Sequence, residues 1–318
     1  MPAPDLVSLF VELAAIPSAP GEERAVADRV IDYLRGVGLD ADEDDAGERI
    51  GSTMGNLLAR LEPTERGADG GTRLFLCAHL DTVPPTAPIE PVVEDGVVTN
   101  AQDTILGADN KAAAAVMLEA TRRIIEERRP HAGIELLFTP KEETGLEGAK
   151  AFDVQRLAAP IGFVFDHAGP IGEVVAAAPY STAMDATFKG RAAHAGMHPE
   201  EGRSAIYAAS RAIADLRLGR IDDDTTANVG EIRGGTARNI VPDRCSVLAE
   251  ARSQQERKLQ DIVQEMVDSM TFAASLAECE LKLELEEKYR GYRFRPDDPP
   301  LRLAFKALAA AGFEPRGI

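Results

Sequence analysis

Strand-like hydrophobic runs alternate with amphipathic helical segments over the first 166 residues of the chain. Three apolar runs have the length of strands, at 74–80, 134–139 and 161–165. Three segments show helical periodicity, at 6–15, 21–36 and 112–120. The proline-containing segment 82–103 predicts a loop with a small hairpin at Asp95-Gly96. The alternation of strands and helices predicts an α/β sandwich.

A different order of elements begins near Ile171. The pattern predicts a strand, a helix, two strands, a helix and a strand, at 183–189, 203–213, 225–232, 239–251, 254–274 and 281–288. This β-α-β-β-α-β order is typical of a ferredoxin-like α+β unit. Prolines within 296–300 and a helix at 301–311 then indicate a return to the first domain. Because 318 residues exceed what one core usually supports, we expect one domain from 1–170 and 289–318 and an inserted domain from 171–288.

The composition is acidic, with a formal net charge of −18. This charge argues against a nucleic-acid partner or an anionic membrane, because both select basic surfaces. The first 18 residues lack a basic start, and no run of about 18 apolar residues occurs. The sequence therefore predicts neither an export signal nor a transmembrane helix. Three cysteines without metal-like spacing, Cys77, Cys245 and Cys279, are expected to be reduced thiols, which favours a cytoplasmic location.

The first apolar run delivers a histidine and an aspartate to its carboxyl end. Side chains alternate along a strand, so His79 and Asp81 face one way while Leu80 turns into the core. Open α/β sheets bind ligands at this edge, and the pair suits a metal ligand and the group that orients it. The alternative is a strand-end pair satisfied by solvent and a helix cap.

Three acidic elements follow, each where an apolar strand or helix begins or ends. Asp109 opens the helix at 112–120, where a plain N-cap is the alternative. Glu142 and Glu143 follow the run at 134–139, and Asp166 ends the next run. Adjacent glutamates repel each other unless a cation or a shared proton compensates, although exposed pairs are also common. Together with His79, these four carboxylates form a set that zinc and hard divalent cations accept.

These motifs resemble those of the dinuclear-zinc aminoacylase and exopeptidase superfamily. The resemblance comprises His79-Leu-Asp81, Leu106-Gly-Ala-Asp109-Asn-Lys111, Glu142-Glu143-Thr-Gly145, Asp166, Ala193-His194-Ala-Gly196 and Asn239-Ile-Val-Pro242. The Leu-Gly-Ala-Asp-Asn-Lys form is similar to that of the peptidase T branch. The resemblance implies a catalytic α/β/α sandwich with an inserted ferredoxin-like dimerisation or lid domain, acting as a homodimer. It implies zinc-dependent hydrolysis of amide bonds in small peptides, with an N-acyl amino acid deacylase as the alternative.

The resemblance also implies a role for individual residues. His79 and Asp166 would hold one zinc, Glu143 the other, and Asp109 would bridge both. Glu142 would be the general base and Asp81 would orient His79. The remaining implied roles are a catalytic contact from His194 of the partner subunit, substrate contacts from Asn239 and Arg252, and a cis peptide between Asp109 and Asn110.

The sequence departs from the family pattern after His198, since no further histidine follows. The family completes its second metal site with a histidine near the C-terminus. We therefore expect a chain that lacks the family's C-terminal segment and has an incomplete second zinc site. A catalytically impaired metal-binding dimer is accordingly a further alternative.

Overall fold

The computed structural model describes residues 5–65 and 70–318. The first four residues of the stretch analysed for an export signal lie outside these ranges. The chain divides into two compact units, Met1–Ala168 and Gly169–Ile318. No helix among the described residues is long and apolar enough to cross a membrane.

The first unit contains five α-helices and seven strands among its described residues. The helices are α1 Leu6–Ala14, α2 Arg24–Gly36, α3 Ala46–Ile50, α4 Ala108–Glu126 and α5 Glu147–Ala151. The strands are β1 Ala41–Glu43, β2 Leu57–Leu61, β3 Leu74–His79, β4 Pro91–Glu94, β5 Val97–Asn100, β6 Ile134–Thr139 and β7 Ile161–Val164. The expected hairpin is confirmed, since β4 pairs with β5 across Asp95 and Gly96, which both have positive φ.

A five-stranded mixed sheet organises the first unit, in the order β1-β2-β6-β3-β7. Strands β3, β6 and β7 are parallel, whereas β1 and β2 are antiparallel to their neighbours. Side chains that alternate along these strands pack into two hydrophobic cores, one on each face of the sheet. On one face Leu76, Ala78 and Phe138 pack with α1, α2 and α4. Cys77 and Leu137 face the opposite way, against Phe152 and Leu157. Apolar residues on both faces explain the nearly continuous hydrophobic runs of β3 and β6.

The second unit contains three α-helices and eleven strands. The helices are α6 Ala205–Asp215, α7 Glu256–Leu276 and α8 Pro299–Ala310. The longer strands are β10 Tyr180–Lys189, β13 Thr225–Gly234, β15 Arg244–Ser253 and β16 Glu280–Tyr289. The short strands are β8 Glu173–Val174, β9 Ala177–Ala178, β11 Ala193–His194, β12 Gly219–Arg220, β14 Ile240–Val241, β17 Tyr292–Arg293 and β18 Arg316–Gly317.

The main sheet of the second unit confirms the ferredoxin-like expectation. Its order is β12-β13-β15-β10-β16, and all of its pairs are antiparallel. Alternate residues such as Met184, Phe188 and Val247 pack under α6 and α7, in a core that also contains Met266 and Met270. The expected strand at 239–251 is instead divided into β14 and β15. The interruption falls at Pro242, which has no N–H for a sheet and whose carbonyl accepts from the Ala205 amide at 2.8 Å.

The two ends of the second unit pair with each other. Strand β18 is parallel to β8, and β17 is antiparallel to β9. The compact unit thus includes residues 289–318 together with 169–178. The expected assignment of 289–318 to the first domain stays a prediction.

Candidate metal centre

Parallel strands bring the predicted residues to one edge of the first sheet. His79 ends β3 and lies in register with Thr139, the last residue of β6. Glu142 and Glu143 follow β6 by a few residues, and Asp166 follows β7 in the same way. Since β3, β6 and β7 are parallel, their carboxyl ends meet at one edge, as expected for a ligand site in such a sheet.

The start of α4 places Asp109 against His79. Gly107 has φ +76, a conformation that side chains other than glycine rarely adopt, and it turns the chain into the helix. Asp109 and Asn110 depart from helical geometry and are joined by a cis peptide, as the resemblance implied. Asp109 Oδ1 lies 3.0 Å from His79 Nε2.

His79 Nε2 is the centre of the cluster. It lies 3.9 Å from Glu142 Oε2 and 3.9 Å from Asp166 Oδ2. Among the residues that the structure describes, two groups could hold a metal: His79 with Glu142 and Asp166, and His79 with Asp109 and Glu143. Within each group the ligand atoms all lie within 4.8 Å of one another. The structure therefore brings together all four predicted ligands and the predicted base.

Asp81 has a wider role in this geometry than the one expected for it. The nearest acceptor to His79 Nδ1 is the carbonyl oxygen of Asp81 at 2.9 Å, whereas the carboxylate is 3.4 Å away. The carboxylate accepts hydrogen bonds from the backbone N–H groups of Glu142 at 2.9 Å and Glu143 at 3.0 Å. Asp81 thus fixes both the ring of His79 and the backbone of the two glutamates.

The cluster is electrostatically suited to a cation. Burial and repulsion between the carboxylates raise the pKa of Glu142, Glu143 and Asp166, against the opposing effect of His79. Burial works to lower the pKa of His79, but Asp81 and the neighbouring acids outweigh it and raise that pKa to about 9. Without metal, a proton on His79 compensates part of the negative charge. A divalent cation supplies the same compensation more strongly.

Two of the predicted residues of the second unit are neighbours. His194 lies opposite Ile240 in the β11–β14 pair, and the amide of Ala195 donates to the Asn239 carbonyl at 2.9 Å. The His194 side chain is exposed, and its Nδ1 accepts from the Gly196 amide at 3.2 Å. Arg252 lies in β15 and forms an ion pair with Glu250 on the same strand at 2.8 Å.

Glu23 is a residue of the site that the sequence pattern did not reveal. It falls in the first turn of the helix expected at 21–36, where its charge would interact favourably with the helix dipole. In the structure it precedes α2, is fully buried, and accepts a hydrogen bond from the Lys141 amide at 3.2 Å. Burial of an acidic residue within a polar sequence such as Gly-Glu-Glu-Arg has no local signal.

Two family models match the chain. Residues 180–275 match the M20 peptidase dimerisation domain, and residues 56–204 match peptidase family M28. Both models describe peptidases, and the first covers most of the ferredoxin-like sheet and both of its helices.

The chain is similar to other proteins over nearly its whole length. The chain is 39% identical to an uncharacterised protein, YqjE, of Bacillus subtilis, over 96% of this chain and 82% of that protein. The structure of aminopeptidase PepT from Bacillus cereus is 38% identical, with a TM-score of 0.92 over 98% of this chain and 83% of that one. A Staphylococcus aureus tripeptidase is 33% identical, with a TM-score of 0.90 over 98% and 84% of the two chains.

The fold, the acidic cluster and these matches define an enzyme of the peptidase class. The chain belongs to the peptidase T-like group of the aminoacylase and exopeptidase superfamily.

Proposed function

We propose that this chain is a zinc-dependent aminopeptidase that hydrolyses small peptides. The observation that carries the proposal is the convergence of one imidazole and four carboxylates at the carboxyl ends of the parallel strands β3, β6 and β7. The similarity to a PepT aminopeptidase and a tripeptidase supports peptides as substrates.

The donor set fits a divalent metal. In this proposal His79 and Asp166 would hold one ion and Glu143 a second, and Asp109 would be a ligand of both. Imidazole and carboxylate donors are those that catalytic zinc sites use. When bound, the metal lowers the pKa of a water molecule and polarises the substrate carbonyl. Both groups of donors share His79, whose Nε2 lies near Asp109, Glu142 and Asp166. One nitrogen lone pair binds one ion, so we expect one site to be stronger than the other.

Glu142 acts as the general base in this proposal. It takes a proton from the attacking water and passes it to the amine that leaves when the peptide bond breaks. Efficient proton transfer requires a pKa not far below the working pH, and burial and neighbouring carboxylates raise the pKa of Glu142 in that direction. The bonds from the Glu142 and Glu143 amides to Asp81 hold the base and the ligand in a fixed relation.

The second unit contributes the dimer contact and His194 in this proposal. The match to a peptidase dimerisation domain supports an assembly of two subunits. The exposed His194 would contact the substrate in the active site of the partner subunit and polarise its scissile carbonyl. Asn239 and Arg252 would also contact the substrate. Asn239 is the residue just before β14.

A substrate panel tests the proposal. The purified chain is stripped with a chelator, reloaded with zinc, and assayed with a tripeptide, the same tripeptide acetylated at its N-terminus, a dipeptide and an N-acyl amino acid. We expect release of the first amino acid from the free tripeptide, and no release from the acetylated one. Hydrolysis of the N-acyl amino acid alone would establish the deacylase instead. Failure to hydrolyse any member, with metal bound, would support the metal-binding alternative.

A further inference from the structure

Three consecutive backbone N–H groups at the candidate site donate to two buried carboxylates. The amides of Glu142 and Glu143 donate to Asp81, as described above. The amide just before them, from Lys141, donates to Glu23 Oε1 at 3.2 Å. The backbone that carries the base and one ligand is therefore anchored at three successive residues.

Glu23 is built into this position. Its side chain is fully buried. Its Oε1 also accepts from the Gly21 amide at 2.7 Å, and its Oε2 accepts from the Ser52 hydroxyl at 2.7 Å. A buried carboxylate is stable only when its oxygens are hydrogen-bonded, and these three donors fix the direction in which it points. Glu23 therefore ties the start of α2 to the turn that follows β6.

The backbone that Glu23 holds is one that needs support. Lys141 has φ +52, which is uncommon for a residue other than glycine. The Lys141 side chain is also held, because its Nζ donates to the Ile50 carbonyl at 2.7 Å and lies 3.0 Å from Glu147. The left-handed conformation at Lys141 sets the direction in which the chain enters Glu142. A change in it would displace the Glu142 carboxylate.

We propose that Glu23 is a positioning residue for the reaction, acting through the backbone of Lys141 on the general base Glu142. The inference rests on the proposed function for the identity of the base. Displacement of a reacting group by about 1 Å can cost about 100-fold in rate. Loss of the Glu23 anchor therefore acts on kcat, with little effect on KM.

Three substitutions at Glu23 distinguish the effect of side-chain length from the effect of charge. Glu23→Asp keeps the charge but shortens the side chain, so it loses contact with the Lys141 amide. Glu23→Gln loses the charge but keeps the length and one carbonyl acceptor, and Ser52 can turn to accept from its amide group. Glu23→Ala removes both. The matched control is Glu135→Ala.

Glu135 is a suitable control because it is an equally buried carboxylate of the same unit. It accepts from the amides of Ala158 at 2.9 Å and Ala159 at 2.7 Å. It lies four residues before the end of β6, roughly 13 Å from the candidate site along the strand. Its loss should disturb stability without disturbing the turn at Lys141.

Two measurements are made on each zinc-loaded variant, with a third on the metal-free chain. We expect kcat for the tripeptide to fall about 10- to 100-fold in Glu23→Asp and Glu23→Ala, with KM unchanged. Glu23→Gln and Glu135→Ala should retain most of the wild-type kcat. Hydrogen exchange of the peptide covering residues 140–148, measured without substrate or metal, should be faster in Glu23→Asp and Glu23→Ala only.

Hydrogen exchange reports on the turn at Lys141 whether or not the chain has peptidase activity. If the wild-type chain hydrolyses no peptide, exchange still shows whether Glu23 anchors this turn. Unchanged exchange in Glu23→Asp would overturn the anchoring, and faster exchange with a wild-type kcat would overturn the positioning role. If Glu23→Ala does not fold, the contrast between the Asp and Gln variants decides by the same criteria.

Discussion

Asp81→Ala should strongly destabilise the first unit, because Asp81 is fully buried and satisfies two backbone donors. Its loss leaves the N–H groups of Glu142 and Glu143 without an acceptor in a partly buried turn. A buried donor without a partner costs about 1–3 kcal/mol, so two such donors cost about 2–6 kcal/mol. The lower part of this range applies if water enters the space that the side chain leaves.

The assay is urea unfolding of the metal-free chain, followed by far-UV circular dichroism because the chain has no tryptophan. Asp32→Ala is the control, since Asp32 is an exposed aspartate on α2 whose nearest Arg35 nitrogen is 4.0 Å away. Such a surface change should alter the free energy of unfolding by about 0.5 kcal/mol or less. Asp81→Asn keeps one acceptor oxygen and should lie between the two. If Asp81→Ala were as stable as the control, the claim that Asp81 stabilises the backbone at Glu142 and Glu143 would be wrong.

Two further predictions concern metal binding and assembly. Metal affinity should rise by about tenfold per pH unit between pH 6 and 8, because a metal must displace the proton that His79 retains up to a pKa of about 9. Competition with a chelator at several pH values measures this affinity. An affinity that does not change with pH would refute the prediction. Mixing His194→Ala subunits with Glu142→Ala subunits should restore up to about a quarter of wild-type activity after random exchange, because one site per mixed dimer is then complete. No recovery in demonstrated mixed dimers would exclude action of His194 across the dimer.

Most of the helices and strands could be predicted because the hydrophobic pattern that indicates each one lies within its own segment. Strand β6 coincides with its predicted run, and β3 ends at the histidine that the run delivers. The ferredoxin-like sheet followed from the order of its elements, since that order has few ways to close. The proximity of His79, Glu142, Glu143 and Asp166 could be predicted because the carboxyl ends of parallel strands meet at one edge.

The remaining features depend on contacts between distant parts of the chain. Glu23 and Lys141 are 118 positions apart, and nothing near Glu23 indicates its burial. The hydrogen bonds that the Glu142 and Glu143 amides donate to Asp81 likewise follow from the pairing of β3 with β6 rather than from either motif. The break between β14 and β15 is different, because Pro242 was a visible signal against a continuous strand.

The division of labour between the adjacent glutamates is the central claim, and it can be tested on paired variants. Zinc content and tripeptide turnover should be measured on Glu142→Ala and Glu143→Ala prepared alongside the wild-type chain. We expect Glu142→Ala to keep the wild-type zinc content and to lose about 10²- to 10⁴-fold in kcat. Glu143→Ala should lose zinc. Loss of zinc from Glu142→Ala would contradict the account, because it would make Glu142 a ligand in its group with His79 and Asp166.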